Sequence, residues 1–161
     1  MIIRIVTIVV FAVAAACTGV EQEQPVQVVK DECPTADDFG NISIVPGLTA
    51  TVVNKGYGRV AVNSDYADVH TTLWLYDESA DGGRGTEIWT SGGIQPFQFQ
   101  LGVGQVIKGW DLGVPCMLIG EIRELKIDPK LGYGAAGKAP VPADATLLFN
   151  VELIELTAPG G

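Results

Sequence analysis

The chain has 161 residues, with 19 acidic against 10 basic side chains and a net charge of −9. Apolar residues make up 47% of it, a globular composition that excludes wholesale disorder, and the length fits one domain plus a tail. The acidic balance opposes a phosphate backbone, so nucleic acid is not an expected partner, and one histidine with three cysteines, in no Cys-x-x-Cys spacing, gives no zinc pattern and routes any His-dependent triad through His70.

Residues 1–16 read MIIRIVTIVVFAVAAA, with Arg4 ahead of a 12-residue apolar run, Ile5–Ala16, broken only by Thr7. As a helix this run spans about 18 Å against roughly 30 Å of bilayer hydrocarbon, which suits a signal-peptide core rather than a membrane span. Ala14, Ala15 and Ala16 lie directly before Cys17 and resemble a bacterial lipobox, with Ala14 where Leu is usual. The expectation is a cell-envelope protein anchored to the membrane by a lipid on Cys17, facing the periplasm or exterior. The alternative is ordinary signal-peptidase cleavage, giving a soluble secreted or lumenal protein. Residues 17–40 carry Glu21, Glu23, Asp31, Glu32, Asp37 and Asp38 against Lys30 alone. They read as a lipobox Cys followed by an acidic flexible linker. Cys33 and Cys116 pair if the compartment is oxidising, or remain two independent thiols; nothing in the sequence brings them within disulfide range. Asn41-Ile42-Ser43 is a glycosylation sequon, meaningful only in a eukaryotic secretory pathway.

The domain is expected over 41–161, with its core from 48 to 156. Alternation of apolar and polar residues predicts strands over Ala67–Leu75, Phe97–Leu101 and Ala145–Leu153. Glu121–Ile127 reads as another, whose alternation slips between Ile122 and Leu125 in the manner of a bulge. The segment between Tyr76 and Gly85 is a polar loop. The one helical pattern is Gln105–Leu112, in which Val106, Ile107 and Trp110 share a face. Gly109 in its middle costs about 1 kcal/mol against Ala, and Gly113 and Pro115 stop it. So short a helix is held only by tertiary packing. The class is α+β: a mostly antiparallel sheet packed on one short helix.

Several motifs carry no chemistry. Gly132-Tyr133-Gly134-Ala135-Ala136-Gly137 has dinucleotide-site spacing, but Pro140 and Pro142 follow where a phosphate-binding helix would begin, so it is a loop. His70 sits on the Asp68/Thr72/Trp74 face of a strand and reads as a hydrogen-bonded structural residue. No Ser stands in a nucleophile elbow. Asp128 and Asp144 look like turn formers. What remains is apolar: Trp89, Phe97, Phe99, Val106, Ile107, Trp110, Tyr133 and Phe149. Phe99 is expected in the core; the others are either core as well or the lining of an apolar pocket.

The runs Val69-His70, Trp74-Leu75-Tyr76, Gly85-Thr86-Glu87 and, above all, Pro96-Phe97-Gln98-Phe99-Gln100-Leu101-Gly102 through Gln105-Val106-Ile107-Lys108-Gly109-Trp110-Asp111 resemble the FKBP-type peptidyl-prolyl cis–trans isomerases. Gly120-Glu121, Arg123, Leu125, Ile127, Leu131–Gly134 and Ala145–Leu153 extend the resemblance over about 48–156. It implies an antiparallel sheet wrapped around one short helix. It also implies a site in which a substrate prolyl ring rests on Trp110, within walls of Phe97, Val106, Ile107, Tyr133, Phe149 and Trp89, the last where Phe is usual. The Ile107 backbone N–H would hydrogen-bond a substrate carbonyl. No cofactor or metal is implied.

Four departures stand out: Thr71 for the usual Tyr, Thr90 for the usual Asp, Cys116 for Gly and Asp128 for Pro. Thr71 and Thr90 replace polar substrate-binding positions, so weaker macrolide binding and lower turnover are expected. The resulting reading is an isomerase that speeds X–Pro rotation in exported polypeptides by binding the twisted amide, without covalent or acid–base chemistry. The alternative is a chaperone-like or scaffold module on the same fold with weak or lost catalysis.

Overall fold

The strongest alternation in the sequence produces the central strand. The computed structural model describes residues 33–160, and within it Leu147–Thr157 forms an eleven-residue strand that alternates between buried and half-buried positions from Phe149 to Ile154. Numbered in chain order, the strands are β1 (Asn41–Val45), β2 (Leu48–Asn54), β3 (Tyr57–Val60), β4 (Tyr66–Tyr76), β5 (Arg84–Thr90), β6 (Phe97–Gln100), β7 (Leu118–Ile119), β8 (Ile122–Ile127) and β9 (Leu147–Thr157). The main sheet runs β1-β2-β8-β9-β4-β5, all antiparallel, with β6 also on β4; β3 and β7 form a separate pair. The expected α+β class is what forms.

Register puts the large apolar side chains of neighbouring strands on one face. Leu73 of β4 and Leu125 of β8 both lie opposite Phe149, and Val69 faces Leu153. Because side chains alternate across a strand, these all point to one side. The opposite side is half-buried, with Leu148 buried on it, and cations lie over its rings: Lys126 Nζ lies 3.6 Å from the Tyr76 ring centre, and the Arg84 guanidinium 5.4 Å from that of Trp74. The buried face receives α1 (Lys108–Gly113).

This helix begins three residues later than the periodicity predicts. Ile107 is extended (φ −59°, ψ 149°), and Gln105–Ile107 leads into α1 as irregular chain. The cause is Asp111: its carboxylate accepts from the backbone N–H of Gly102 (3.2 Å) and Gly104 (2.8 Å), holding the preceding turn in a non-helical course. Gly109 has a packing reason. A Cβ there would stand 2.6 Å from Ile127 Cγ2, so only glycine lets the helix lie this close to β8.

The slipped alternation in β8 is not a bulge of that strand. Arg123, Leu125 and Ile127 are buried in regular order and pair evenly with β9. The inward slot expected to be apolar holds a guanidinium instead, while the irregularity lies on the partner strand between Val52 and Asn54. Cys33 and Cys116 are joined, Cα to Cα 5.6 Å, across a separation of 83 residues. That settles the open reading in favour of pairing. Residues 33–40, expected in the linker, are tied to the domain by this bond and by Val52 N–H donating to Gly40 O at 2.9 Å. The expected signal segment and Cys17 lie outside the described residues.

Candidate active site

Above the buried face, between α1, the β5–β6 side and the segment after Tyr133, lies a hollow of about 460 Å³. Its floor is Trp110, which α1 places against the sheet with only 5% of its surface exposed. Three rings fix that indole. Phe99 lies 5.3 Å away centre to centre, while Phe149 (5.2 Å, 77°) and Phe97 (6.1 Å, 73°) meet it edge-on. Phe99 is core, as expected. Phe97 and Trp89 are about half exposed and form open walls.

Seven apolar residues singled out from the sequence line this hollow: Trp89, Phe97, Val106, Ile107, Trp110, Tyr133 and Phe149. They come from six separate stretches, and register explains several. Leu73 opposes both Phe149 and Trp89, so the three share one face, and Leu73 joins the lining. Sequence reasoning missed Leu73, Ile88 and Gln105, together with Lys138, Ala139, Pro140 and Val141. The signal for the last group was present: an apolar Ala-Pro-Val run directly after a glycine-rich loop is a poor solvent loop and a good wall.

Thr71 and Thr90 do not line the hollow. Thr90 pairs with Thr72 across β4 and β5, which turns it to the face opposite Trp89. Its hydroxyl bonds Thr72 Oγ1 at 2.9 Å and accepts from Gly92 N–H at 3.1 Å. Thr71 points inward but is too short to reach the hollow. It is buried, and its hydroxyl has no partner among the described residues. His70 Nδ1 lies 3.2 Å from Ser91 Oγ, which also accepts from Thr71 N–H, so its role is structural. Asp128 and Asp144 sit in turns, as expected. Asp128, standing where Pro is usual, donates its backbone N–H to Gly47 O at 2.8 Å, a bond proline cannot make.

Chemically the hollow is a mostly apolar cup. Lys138 is the only charged side chain in its lining, and it stands at the exposed lip. The Ile107 N–H, at the start of α1, donates to no acceptor among the described residues, whereas its carbonyl accepts from Trp110 and Asp111 N–H. The lining of the cup holds no paired acid and base, nor a nucleophile with its base.

The sequence profile of the FKBP-type peptidyl-prolyl cis–trans isomerases matches residues 58–154. The chain belongs to that family. FK506-binding protein 1 of Dictyostelium discoideum is 41% identical over 114 residues, 67% of this chain and 96% of that protein. FK506-binding protein 1 of Aspergillus oryzae is 36% identical over 114 residues, 68% of this chain and 98% of that protein. A shorter match, 55% identical over 62 residues, joins 38% of this chain to 46% of FK506-binding protein 2 of Debaryomyces hansenii. As an FKBP-type isomerase, the protein acts on X–Pro bonds. Cys116 stands where the family usually has Gly, and its φ of +69° is the backbone conformation that glycine adopts freely.

Proposed function

We propose that the hollow over Trp110 holds X–Pro bonds of exported polypeptides midway through rotation. The carrying observation is a cup of about 460 Å³ floored by one buried indole and free of charge except at its lip. Rotation about an X–Pro amide faces a barrier of roughly 20 kcal/mol because conjugation must break. As it breaks, charge separation between carbonyl oxygen and nitrogen falls, so the twisted amide is less polar than the planar one. Water favours the planar form; an apolar cup does not, and that difference lowers the barrier. The prolyl ring lies on Trp110 between Phe97, Tyr133 and Phe149. The unpaired N–H of Ile107 binds a carbonyl of the substrate chain and fixes its direction. No proton is moved and no bond is made.

The exported setting rests on two supports. The segment before Cys17 has signal-peptide form, and the Cys33–Cys116 disulfide suits an oxidising compartment. Lipidation of Cys17 belongs to the same proposal, and mass spectrometry of the mature N-terminus tests it; an unmodified thiol there removes the anchor. FK506-type macrolides, which the relatives' names attach to those proteins, would enter the same cup. Their affinity is expected to be weak because Thr71 and Thr90 offer it no polar contact.

The test is turnover of an Ala-Leu-Pro-Phe-type peptide by the purified chain. The expected result is isomerisation well above the solvent rate at micromolar protein. No acceleration would overturn the proposal.

A further inference from the structure

The geometry points to Lys138 as a specificity-determining residue that favours proline segments carrying a carboxylate beside the proline; the inference rests on the hollow being the isomerase site. Three observations carry it. First, Lys138 is the one charged side chain in the lining, and no carboxylate accompanies it. Second, it makes no salt bridge among the described residues; its ammonium lies 5.8 Å from the centre of the Tyr133 ring, on the wall of the cup. Third, its backbone is fixed. Lys138 N–H donates to Val141 O at 3.0 Å and Val141 N–H to Lys138 O at 2.7 Å, while Val141 is buried.

An uncompensated ammonium over an apolar wall is less screened than one surrounded by water. A prolyl ring on Trp110 brings its flanking side chains to the lip, where that ammonium stands. A glutamate or aspartate there gains an ion pair, and a lysine meets repulsion. The rest of the molecule works the other way, since the chain carries a net charge of −9 and repels acidic peptides at a distance. Lys138 therefore acts locally against the general field.

The experiment compares kcat/KM for proline tetrapeptides that carry Glu, Gln or Lys first immediately before and then immediately after the proline. The full chain is used, as wild type and as Lys138→Gln, Lys138→Glu and Lys55→Glu. At low salt the wild type is expected to prefer Glu over Gln roughly two- to fivefold at one of the two positions, the range of a partly exposed ion pair. Lys138→Gln removes that preference and Lys138→Glu turns it toward Lys. Lys55→Glu makes the same change in net charge outside the cup and leaves the Glu-to-Gln ratio in place. Equal rates for Glu and Gln at both positions in the wild type, or a ratio that survives Lys138→Gln, overturns the inference while leaving the site intact. Absence of turnover on every peptide removes the site itself.

Discussion

The helix Lys108–Gly113 separates two regions built from opposite materials. On one side, the indole of Trp110 faces a cup with rings and aliphatic chains around it and a single charge at the lip. At the helix end, Arg123 is buried with Glu121. Its guanidinium donates to the Glu121 carboxylate at 2.7 Å, to Gly113 O at 2.8 Å and to Cys116 O at 3.3 Å. The remaining Glu121 oxygen accepts from Leu118 N–H at 3.0 Å. Burial pulls the guanidinium below its ordinary pKa, and the adjacent carboxylate opposes that shift. Charge is placed where the chain must be held still, at a helix end whose carbonyls would otherwise lack donors. It is absent from the lining of the cup apart from Lys138 at the lip. On the proposed reading, the buried ion pair serves architecture and the apolar lining of the cup serves catalysis.

The comparison breaks most severely at Trp110. Trp110→Ala removes the floor and a core side chain together, so stability should fall by about 3–5 kcal/mol. Trp110→Leu keeps an apolar filler, and kcat/KM should still fall at least about tenfold, equivalent to ~1.4 kcal/mol of barrier. A folded Trp110→Leu protein with unchanged kcat/KM would place the chemistry elsewhere.

At the other region, Arg123→Ala strands the Glu121 carboxylate in the interior and leaves the Gly113, Pro115 and Cys116 carbonyls without their donor. The expected loss is about 3–5 kcal/mol in urea unfolding. Arg123 does not line the cup, so the loss should appear in unfolding midpoint before it appears in kcat. A variant as stable as wild type would mean that water replaces the guanidinium freely.

The disulfide connects to this same polar region, because Cys116 O is one of the carbonyls bound by Arg123. Closing a loop of this length restricts the unfolded chain, and its removal in Cys33→Ser/Cys116→Ala should cost about 2–4 kcal/mol. Cysteine and alanine both carry a Cβ in the strained backbone conformation at position 116. Residue 116 has φ +69°, so Cys33→Ser/Cys116→Gly should recover roughly 1 kcal/mol relative to the alanine version. Equal stabilities for the two variants would show that position 116 relaxes once the bond is cut.

Strand existence and facing were legible from alternation, and the seven apolar site residues from resemblance, because both signals are carried by side-chain type. Three features were not. The start of the helix depends on Asp111 reaching back to two glycine N–H groups, a contact between residues whose types do not announce it. The inward Arg123 looked like a break in pattern because hydropathy cannot express a buried charge with a buried partner. The missing polar contacts at Thr71 and Thr90 depend on reach and strand face: one side chain is too short and the other is turned outward by the register with Thr72.

The smallest effect concerns the entry into β1, and it sharpens the contrast from outside both regions. Asp37 is exposed, yet its carboxylate accepts from the backbone N–H of Asn41 (2.8 Å) and Phe39 (2.9 Å) and from the Asn41 side chain (3.2 Å). The Asn41 backbone bond, more than any other cause, holds its pKa below the ordinary value of 3.8. A folded pKa lower than the unfolded one means that the carboxylate form stabilises this turn. That contribution is complete above the unfolded value and is lost as pH falls through the lower, folded one. Amide exchange at Asn41 should therefore be protected at neutral pH and accelerate, beyond the intrinsic pH trend, only below about pH 4. Isomerase kcat/KM should stay flat from pH 5 to 8, because the cup contains no carboxylate, histidine or thiol. A bell-shaped profile in that range would contradict the division of labour between the two regions, whereas unprotected Asn41 exchange would contradict only the turn.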